Sequence, residues 1–307
     1  MTRLPTLRQL GHLVALAEHG HFGRAAEACG VTQSSLSASI KELEVTLGTA
    51  LVDRGGRRVA LTPLGLGTVE RARRLLRDAE ALLEAVAAEN EPLTGTLRLG
   101  VIPTIGPFLL PAVLPPLRRA YPKLRLYLVE DLTDRLIEQL HQGKLDAVLL
   151  ALPHDCGNVE SRILFEDQFK VALRRRHPLA AAEEITLRQL RSQEILLLRE
   201  GHCLRDQALA ACRLVDRHQS EPVEATSLHT LVQMVDNGLG LTLLPELALR
   251  AGILRGTHVV ALPFASEPPS RKIGLVWRRG TVRGAEFDLL ATALASAAAG
   301  GRGRPST

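Results

Sequence analysis

The 307-residue chain lacks any apolar run long enough to cross a membrane, which takes about 20 residues. Its first twenty residues, MTRLPTLRQLGHLVALAEHG, also lack the apolar segment and cleavage site of a secretory signal, because His12, Glu18 and His19 interrupt them. These absences exclude a membrane span and predict a cytoplasmic location. Cysteine is scarce, at four residues, and a disulfide in the cytoplasm is more often redox-sensing or catalytic than structural.

An excess of positive charge is missing from the N-terminal part, although the whole chain carries a formal net charge of +5. Residues 1–92 hold eleven Lys or Arg and eleven Asp or Glu residues, so bulk charge does not predict nucleic-acid binding. Basic side chains are instead concentrated at Arg54, Arg57 and Arg58. Their location is therefore more informative than the total charge.

Three short helices are predicted at the N-terminus. Residues 6–20 place apolar side chains on one helical face, a second helix covers residues 23–28, and Gly30 marks a turn. Thr32 is a predicted N-cap for a third helix that ends near Leu47. A helix, a tight glycine turn and a second helix form a helix-turn-helix motif.

The third helix begins with short polar side chains, which suit contacts with base edges in the major groove of DNA. Its apolar residues Leu36, Ile40 and Leu43 are predicted to face the core. A capped surface helix is the alternative, and the pattern alone leaves both open. The predicted DNA-binding residues are Thr32, Gln33, Ser34, Ser35 and Ser37, with Ser39 on the same surface.

A basic hairpin follows the third helix. Two apolar runs bracket Gly55-Gly56, and this pattern predicts a β-hairpin wing. Arg54, Arg57 and Arg58 lie at its tip, where guanidinium groups could bind phosphate. Residues 1–62 are therefore predicted to form a winged helix-turn-helix.

A long linker helix is predicted from Thr62, its N-cap, and Pro63 to about Glu89. Such a helix measures roughly 40 Å, and an apolar stripe recurs along it at three- and four-residue intervals. A domain of this size cannot cover that stripe, so a second copy of the helix is the simplest partner. A core helix within one chain is the alternative.

Strands alternate with helices after residue 93. Apolar runs at residues 96–102, 123–130 and 146–152 are typical of buried strands, with helices near 108–120 and 133–142. This order predicts βαβ units and a mostly parallel sheet. A second set follows, with strands FKVALRR, EILLL, LTLLP and VVALPF, a helix containing two cysteines and the helical stretch LHTLVQMVDNGLG.

The last strand, KIGLVWRR, and a final helix from Arg283 to Ala298 are predicted to return to the first lobe. The predicted two-lobed α/β domain covers residues 93–300, with lobe I at about 93–165 and 270–300 and lobe II at about 166–268. Residues 63–92 form the linker, and residues 301–307 are expected to be a disordered tail. Ligands bind beyond the carboxyl ends of strands, where Thr104 and Thr133 lie, although either threonine could simply cap a helix.

The segment GHCLRDQALAAC contains two cysteines nine positions apart. Cys203 lies beside His202 and Arg205 and near a predicted helix start, which favours the thiolate, so we expect Cys203 to react and Cys212 to resolve. Nine helical steps separate their Cα atoms by about 13 Å, whereas a disulfide requires about 7 Å or less. A disulfide between them would therefore require the helix to refold.

Other roles for the cysteines stay open on the residues alone. Two buried, reduced cysteines are the simplest alternative, and a zinc site using His202 and His218 lacks the usual ligand spacing. Cys29 is expected to be a small buried hydrophobe. Cys156 has no assigned role.

The stretch RAAEACGVTQSSLSASIKELEVTLGTALVDRGGRRVALTPLG, together with the linker helix, resembles the DNA-binding region of LysR-type transcriptional regulators. The two-lobed half resembles their effector domain, which is similar to periplasmic binding proteins. The segments GHCLRDQALAAC, IPTIGPFLLP, KLDAVLLAL, ATSLHTLVQMV, GLTLLP and IGLVWR resemble the hydrogen-peroxide-sensing members of this family.

This resemblance implies a peroxidatic role for Cys203 and a disulfide partner in Cys212. It further implies a peroxide pocket lined by Thr104, Thr133 and His202, with Arg271 as a fourth member. A one-residue slip in SEPPSRKIG would place Lys272 there instead. Residues of the same segment, Arg205 and Asp206, are expected to support the pocket.

We therefore expect a non-enzymatic regulator of antioxidant genes that needs no cofactor or metal and responds to hydrogen peroxide. Its expected partners are double-stranded DNA, RNA polymerase and further copies of itself. The copies are expected to pair through the linker helix and to assemble into a homotetramer. A LysR-type regulator that binds a metabolite between its lobes is the nearest alternative. A thiol peroxidase would leave the winged helix without a role, and a purely structural protein would leave the basic wing unexplained.

Overall fold

A computed structural model describes residues 4–53, 59–88, 93–211, 225–266 and 268–300. The chain divides into two compact units, residues 1–90 and 91–307. No helix among the described residues combines the length and the apolar composition that a bilayer span requires.

The N-terminal unit is a small helical domain with a short hairpin. Thr6 and Gln9 form a capping box at the start of the first helix, and the Thr32 side chain accepts a hydrogen bond from the backbone of Ser35 at the start of the third. As predicted, Leu36, Ile40 and Leu43 are fully buried. The elements are α1 Leu7–His19, α2 Phe22–Ala28, α3 Gln33–Leu47, β1 Val52–Asp53, β2 Ala60–Leu61 and α4 Pro63–Ala88.

Helix α4 begins where the sequence predicts. Thr62 Oγ1 accepts a hydrogen bond from the backbone N–H of Gly65 and donates one to the carbonyl of Ala50. Gly65 is required because a Cβ there would lie 2.1 Å from the carbonyl oxygen of Leu51. The side chains of Leu75 and Leu82 on α4 are exposed, at 53% and 57%.

His12 joins α1 to α3. Its ring is buried, and its Nδ1 lies 2.8 Å from the hydroxyl oxygen of Ser39. Ser39 therefore supports the packing of the two helices, whereas the sequence pattern placed it on the DNA-facing surface. Burial, assisted by the charge of Arg8, lowers the pKa of His12.

Three parallel strands begin the sheet of the second unit, in the spatial order β4, β3, β5. Buried residues from these strands and from the helices between them form one continuous apolar core, which we call the lobe I core. The elements are β3 Gly95–Val101, α5 Gly106–Ala120, β4 Leu124–Glu130, α6 Thr133–His141 and β5 Ala147–Leu152.

The expectation of a mostly parallel sheet is wrong beyond β5. Strand β6, Val159–Arg174, and strand β9, Ser270–Arg278, pair antiparallel with each other, and β9 also pairs antiparallel with β5. From Phe169 onward β6 pairs instead with β7, Thr242–Pro245, and β8, Val259–Leu262. The same strand thus crosses from one lobe to the other. It runs in the same direction as β5, and β9, which lies between them, is the strand that runs the opposite way.

The second lobe has its own apolar core, which we call the lobe II core. The predicted strand EILLL is not regular, because only Ile195 and Leu198 form isolated bridges, to Leu241 and Ala225. The final helix packs on the lobe I core through Phe287 and its neighbours. The remaining elements are a 3-10 helix Pro178–Ala181, α7 Leu187–Leu190, α8 Cys203–Ala211, α9 Leu228–Asp236, α10 Glu246–Arg250 and α11 Gly284–Gly300.

We predict that acid weakens the packing of α1 on α3 through His12. Because burial lowers its folded pKa below the ordinary value of about 6.5, the unfolded chain binds the proton more tightly. The stabilisation is complete above that value and is lost as the pH falls from there through the folded pKa. Hydrogen exchange of the α1 and α3 amides from pH 7 down to about pH 5 measures this, since local opening limits their exchange.

His12→Gln should flatten this pH dependence once the intrinsic exchange rate is corrected for. His19→Gln, at an exposed position of the same helix, is the matched control and should leave it unchanged. An equal pH dependence in wild type and His12→Gln would contradict the prediction.

Candidate functional site

A narrow crevice in the second unit holds Cys203. It lies where the turn after β3 meets the starts of α6 and α8, and its empty space of about 160 Å³ includes the open mouth. Three predicted pocket residues share it with Cys203, namely Thr104, Thr133 and His202. The apolar part of the wall comes from Ile102, Pro103 and Leu132.

The sulfur of Cys203 lies between the two lobes. Cys203 packs against the lobe I core, whereas Leu204 and Ala208 of the same helix belong to the lobe II core. Thr133 Oγ1, at the start of α6, lies 3.3 Å from Cys203 Sγ, within hydrogen-bonding reach for sulfur. Since Cys203 opens α8, the sulfur lies at the N-terminal ends of two helices, whose free N–H groups favour an anion.

Gly201 and His202 shape the other side of the crevice. Gly201 has a φ of +91°, and a Cβ there would lie 3.0 Å from Leu132 Cδ1, so glycine lets the chain turn into α8 close to lobe I. His202 is buried. Burial, with a smaller contribution from the charge of Arg199, lowers the pKa of His202. His202 therefore offers a neutral imidazole near the thiol, and not the standing positive charge that the sequence pattern suggested.

Arg271 is buried directly behind Thr104. Its Nη1 donates to Thr104 Oγ1 at 2.9 Å and its Nη2 donates to the Thr104 carbonyl at 3.1 Å. Lys272, the alternative that the sequence left open, is exposed on the opposite face of β9. Neither Thr104 nor Thr133 is an N-cap, since Ile105 and Leu132 occupy those positions in α5 and α6.

Asp167 belongs to the same cluster, although no local sequence pattern points to it. Its Oδ2 accepts hydrogen bonds from Nε and Nη2 of Arg271 at 3.1 and 3.0 Å, and both side chains are almost fully buried. Asp167 lies directly opposite Arg271 in the pairing of β6 with β9. The only signal that could have revealed it is this register between strands 104 residues apart.

Two further predicted residues, Arg205 and Asp206, do not line the crevice. Arg205 Nη1 donates to the carbonyl of Leu198 at 3.2 Å, and Asp206 is exposed.

The two other cysteines of the second unit differ in what can be said of them. Cys156 is buried, and its burial, followed by the charges of Asp155 and Cys203, raises the pKa of its thiol to about 11. Cys212 lies outside the described residues, directly after Ala211.

The start of α3 presents the polar surface that the sequence predicts. Gln33, Ser34 and Ser35 are exposed, and Ser37 is half-buried. Thr32 Oγ1 lies within hydrogen-bonding distance of the hydroxyls of Ser34 and Ser35. The wing residues Arg54, Arg57 and Arg58 lie outside the described residues.

A metal site is not seen in the part of the chain that the structure describes. No three His, Cys, Asp or Glu side chains there are grouped in a way that could hold a metal ion. His218, whose spacing from the cysteines is not that of a usual zinc site, lies outside those residues.

Family comparisons cover both units. Residues 7–66 match the family described as bacterial regulatory helix-turn-helix protein, lysR family, and residues 90–299 match the LysR substrate binding domain. The chain belongs to the LysR family. It is therefore a DNA-binding transcriptional regulator and not an enzyme, as expected.

The relatives of this LysR-family chain include three proteins that are named OxyR. The Escherichia coli DNA-binding transcriptional dual regulator OxyR is 42% identical over 288 residues, which cover 94% of each chain. The structure of full-length OxyR from Pseudomonas aeruginosa, with a cysteine-to-aspartate substitution, is 36% identical, covers 95% of each chain and has a TM-score of 0.77. A cysteine-to-serine variant of Corynebacterium glutamicum OxyR with hydrogen peroxide bound is 35% identical, with 98% of this chain and 95% of that chain covered and a TM-score of 0.68.

We predict that Gly201→Ala costs about 1–2 kcal/mol of unfolding free energy, because alanine at positive φ is strained. The new methyl group should also push Leu132 and change the rate at which iodoacetamide alkylates Cys203. Gly256→Ala is the matched control, since Gly256 has a φ of +78° with no atom near its would-be Cβ. It should lose similar stability while leaving the alkylation rate unchanged, and equal alkylation rates in both variants would contradict the role of Gly201.

Proposed function

We propose that this LysR-family regulator senses hydrogen peroxide through Cys203 and Cys212 and thereby controls antioxidant genes from the cytoplasm. The observation that carries the proposal is the narrow crevice in which Cys203 Sγ meets Thr133, with Thr104 and His202 in the same wall. The peroxide-bound OxyR variant among its structural relatives supports the choice of ligand.

The chemistry assigns a role to each residue of the crevice. The Cys203 thiolate attacks one peroxide oxygen, the O–O bond breaks, and a sulfenic acid and hydroxide form. The hydroxide takes a proton and leaves as water. Thr133 donates a hydrogen bond to the sulfur, whereas Thr104 and His202 bind the peroxide, with Arg271 polarising Thr104.

Resolution of the sulfenic acid is proposed to use Cys212. Its thiol attacks the Cys203 sulfur, the S–O bond breaks, and the hydroxyl leaves with the thiol proton as a second water. A dithiol reductant later restores both thiols by exchange. The raised pKa of Cys156 keeps that thiol protonated, so it competes poorly for the sulfenic acid.

The disulfide requires α8 to unwind. Eight helical steps separate the Cα atoms of Cys203 and Ala211 by about 12 Å. The next Cα atom lies about 3.8 Å from that of Ala211, and this step can shorten the distance by no more than about 3.8 Å. The Cα atoms of Cys203 and Cys212 thus stay at least about 8 Å apart while α8 persists, beyond the roughly 7 Å of a disulfide. Oxidation therefore releases Cys203 from its contact with lobe I and refolds a segment of lobe II.

We propose that this refolding is read out through assembly on DNA. Leu75 and Leu82 on α4 would pair two chains, and a homotetramer would place two pairs of winged helices on one promoter. The residues from Thr32 to Ser37 and the three wing arginines would contact the duplex, and RNA polymerase would be the further partner at the promoter.

A metabolite-responsive regulator is the second candidate. A cavity of about 310 Å³ lies between α5, α10 and α11, in the size range of small-ligand sites. The crevice around Cys203 has no comparable interior space, so it cannot hold a metabolite, and only a small molecule that enters at its open mouth could reach the sulfur. The two candidates therefore use different sites and are separated by whether the thiols react.

We predict that about one equivalent of hydrogen peroxide converts the reduced protein to a Cys203–Cys212 disulfide that dithiothreitol reverses. Mass spectrometry after alkylation identifies the bond. Cys212→Ser should stop at a sulfenic acid and keep the reduced DNA footprint, whereas Cys156→Ser should behave as wild type. Thiols that stay reduced in the wild type would return the protein to the metabolite-responsive class.

We further predict that glutamine at Arg54, Arg57 and Arg58 weakens binding to any duplex. The slope of log affinity against log salt concentration should fall by about one for each phosphate that an arginine no longer neutralises. Fluorescence anisotropy with a promoter fragment, repeated across salt concentrations, measures both quantities. A triple substitution of exposed arginines in the second unit is the control and should not change the slope; these residues are Arg175, Arg176 and Arg279.

A further inference from the structure

We propose that Asp167 is a positioning residue for the peroxide reaction, which sets the direction of the Thr104 hydroxyl hydrogen through Arg271. The inference rests on the proposed function of Cys203. Asp167 touches neither the sulfur nor the crevice wall, yet two consecutive hydrogen-bonded links, from Asp167 to Arg271 and from Arg271 to Thr104, connect it to that wall.

The carboxylate holds the guanidinium of Arg271 in one orientation. Oδ2 of Asp167 accepts from both Nε and Nη2, while Oδ1 accepts from the backbone N–H of Leu247 at 2.9 Å. The guanidinium carbon of Arg271 also lies 6.0 Å from the ring centre of Phe169. A planar group held along one edge and packed on one face has little freedom to rotate.

The fixed guanidinium determines what the Thr104 hydroxyl can do. Arginine has only donors, so Thr104 Oγ1 must accept from Nη1. A hydroxyl has one hydrogen to donate, and among the described residues no acceptor is seen for it. Since Thr104 lines the crevice beside Cys203, its O–H is free to donate to a peroxide oxygen there.

Donation at this position matters for the bond that breaks. When the thiolate attacks one oxygen of hydrogen peroxide, the other oxygen leaves as hydroxide, with the electron pair of the O–O bond. A hydrogen bond from Thr104, strengthened by the adjacent positive charge of Arg271, stabilises that developing charge. Alkylation of the same sulfur by iodoacetamide releases iodide and does not need this donor.

Asparagine cannot replace Asp167 in this arrangement. An amide places its NH₂ group either against the Leu247 N–H or against the guanidinium, so one donor always faces another. Arg271 would then be a buried cation without its anion, and its orientation would no longer be held. Thr104 would lose the fixed donor that forces its hydroxyl to point into the crevice.

The experiment compares two reactions of Cys203 in the full-length, reduced protein. Stopped-flow measurement gives the rate constant with hydrogen peroxide, and mass spectrometry gives the rate constant with iodoacetamide at the same pH. We expect Asp167→Asn to lower the peroxide rate roughly tenfold or more while the alkylation rate changes less than about twofold. Glu166→Gln, an exposed carboxylate one position earlier on β6, is the matched control and should change neither rate.

A double-mutant cycle tests whether Asp167 acts through Thr104. Thr104→Val removes the hydroxyl at nearly constant shape, and in that background Asp167→Asn should have little further effect on the peroxide rate. Additive losses would overturn the inference, as would equal slowing of both reactions, which indicates general damage to the fold.

Arg271→Lys keeps the test valid should Asp167→Asn not fold. Lysine keeps the charge that pairs with Asp167 but lacks the branch that reaches Thr104. We expect the same selective loss of the peroxide rate, and unchanged rates would overturn the inference. A wild-type Cys203 that is inert to peroxide would instead overturn the proposed function, before any variant is compared.

Discussion

The passage of strand β6 between the lobes is the constraint on which the site depends. Because β6 pairs with β9 up to Gln168 and with β7 and β8 from Phe169, the strand places Asp167 at the junction. There Asp167 meets Arg271 on the neighbouring strand, and Arg271 meets Thr104 of lobe I. Removing one partner of a buried ion pair destabilises a fold by about 3–5 kcal/mol. The Asp167–Arg271 pair therefore links the strand crossing firmly to the crevice wall.

Cys203 is in a position to link chemistry at the crevice to the conformation of lobe II. Its sulfur contacts lobe I and Thr133, whereas the rest of α8 is held to lobe II by Leu204 and Ala208. The described part of α8, Cys203–Ala211, packs through these two residues on the lobe II core. In the proposed mechanism, a covalent change at Cys203 therefore acts on the packing of both lobes.

Local sequence patterns predicted many of the helices and strands. They did not predict which residues that are far apart in the chain come into contact. The Thr32 and Thr62 caps and the buried face of α3 depend on neighbours a few residues away, and the sequence pattern identified them. EILLL has the composition of a strand, but Ile195 and Leu198 bridge two different segments. Ser39 is a short polar residue of the kind expected to face DNA, but its hydroxyl group is hydrogen-bonded to the ring of His12 in α1. In both cases tertiary contacts overrode the local preference.

By itself the sequence determined the two-part organisation, the recognition helix and the placement of Cys203 at a helix start, because periodicity and capping are local properties. Only the tertiary structure decided which side chains meet the sulfur and which support them. Cys203 and Thr133 are 70 residues apart, Asp167 and Arg271 are 104 apart, and Thr104 and Arg271 are 167 apart. Contacts over such separations depend on strand register and on the packing of two lobes, which no local pattern encodes.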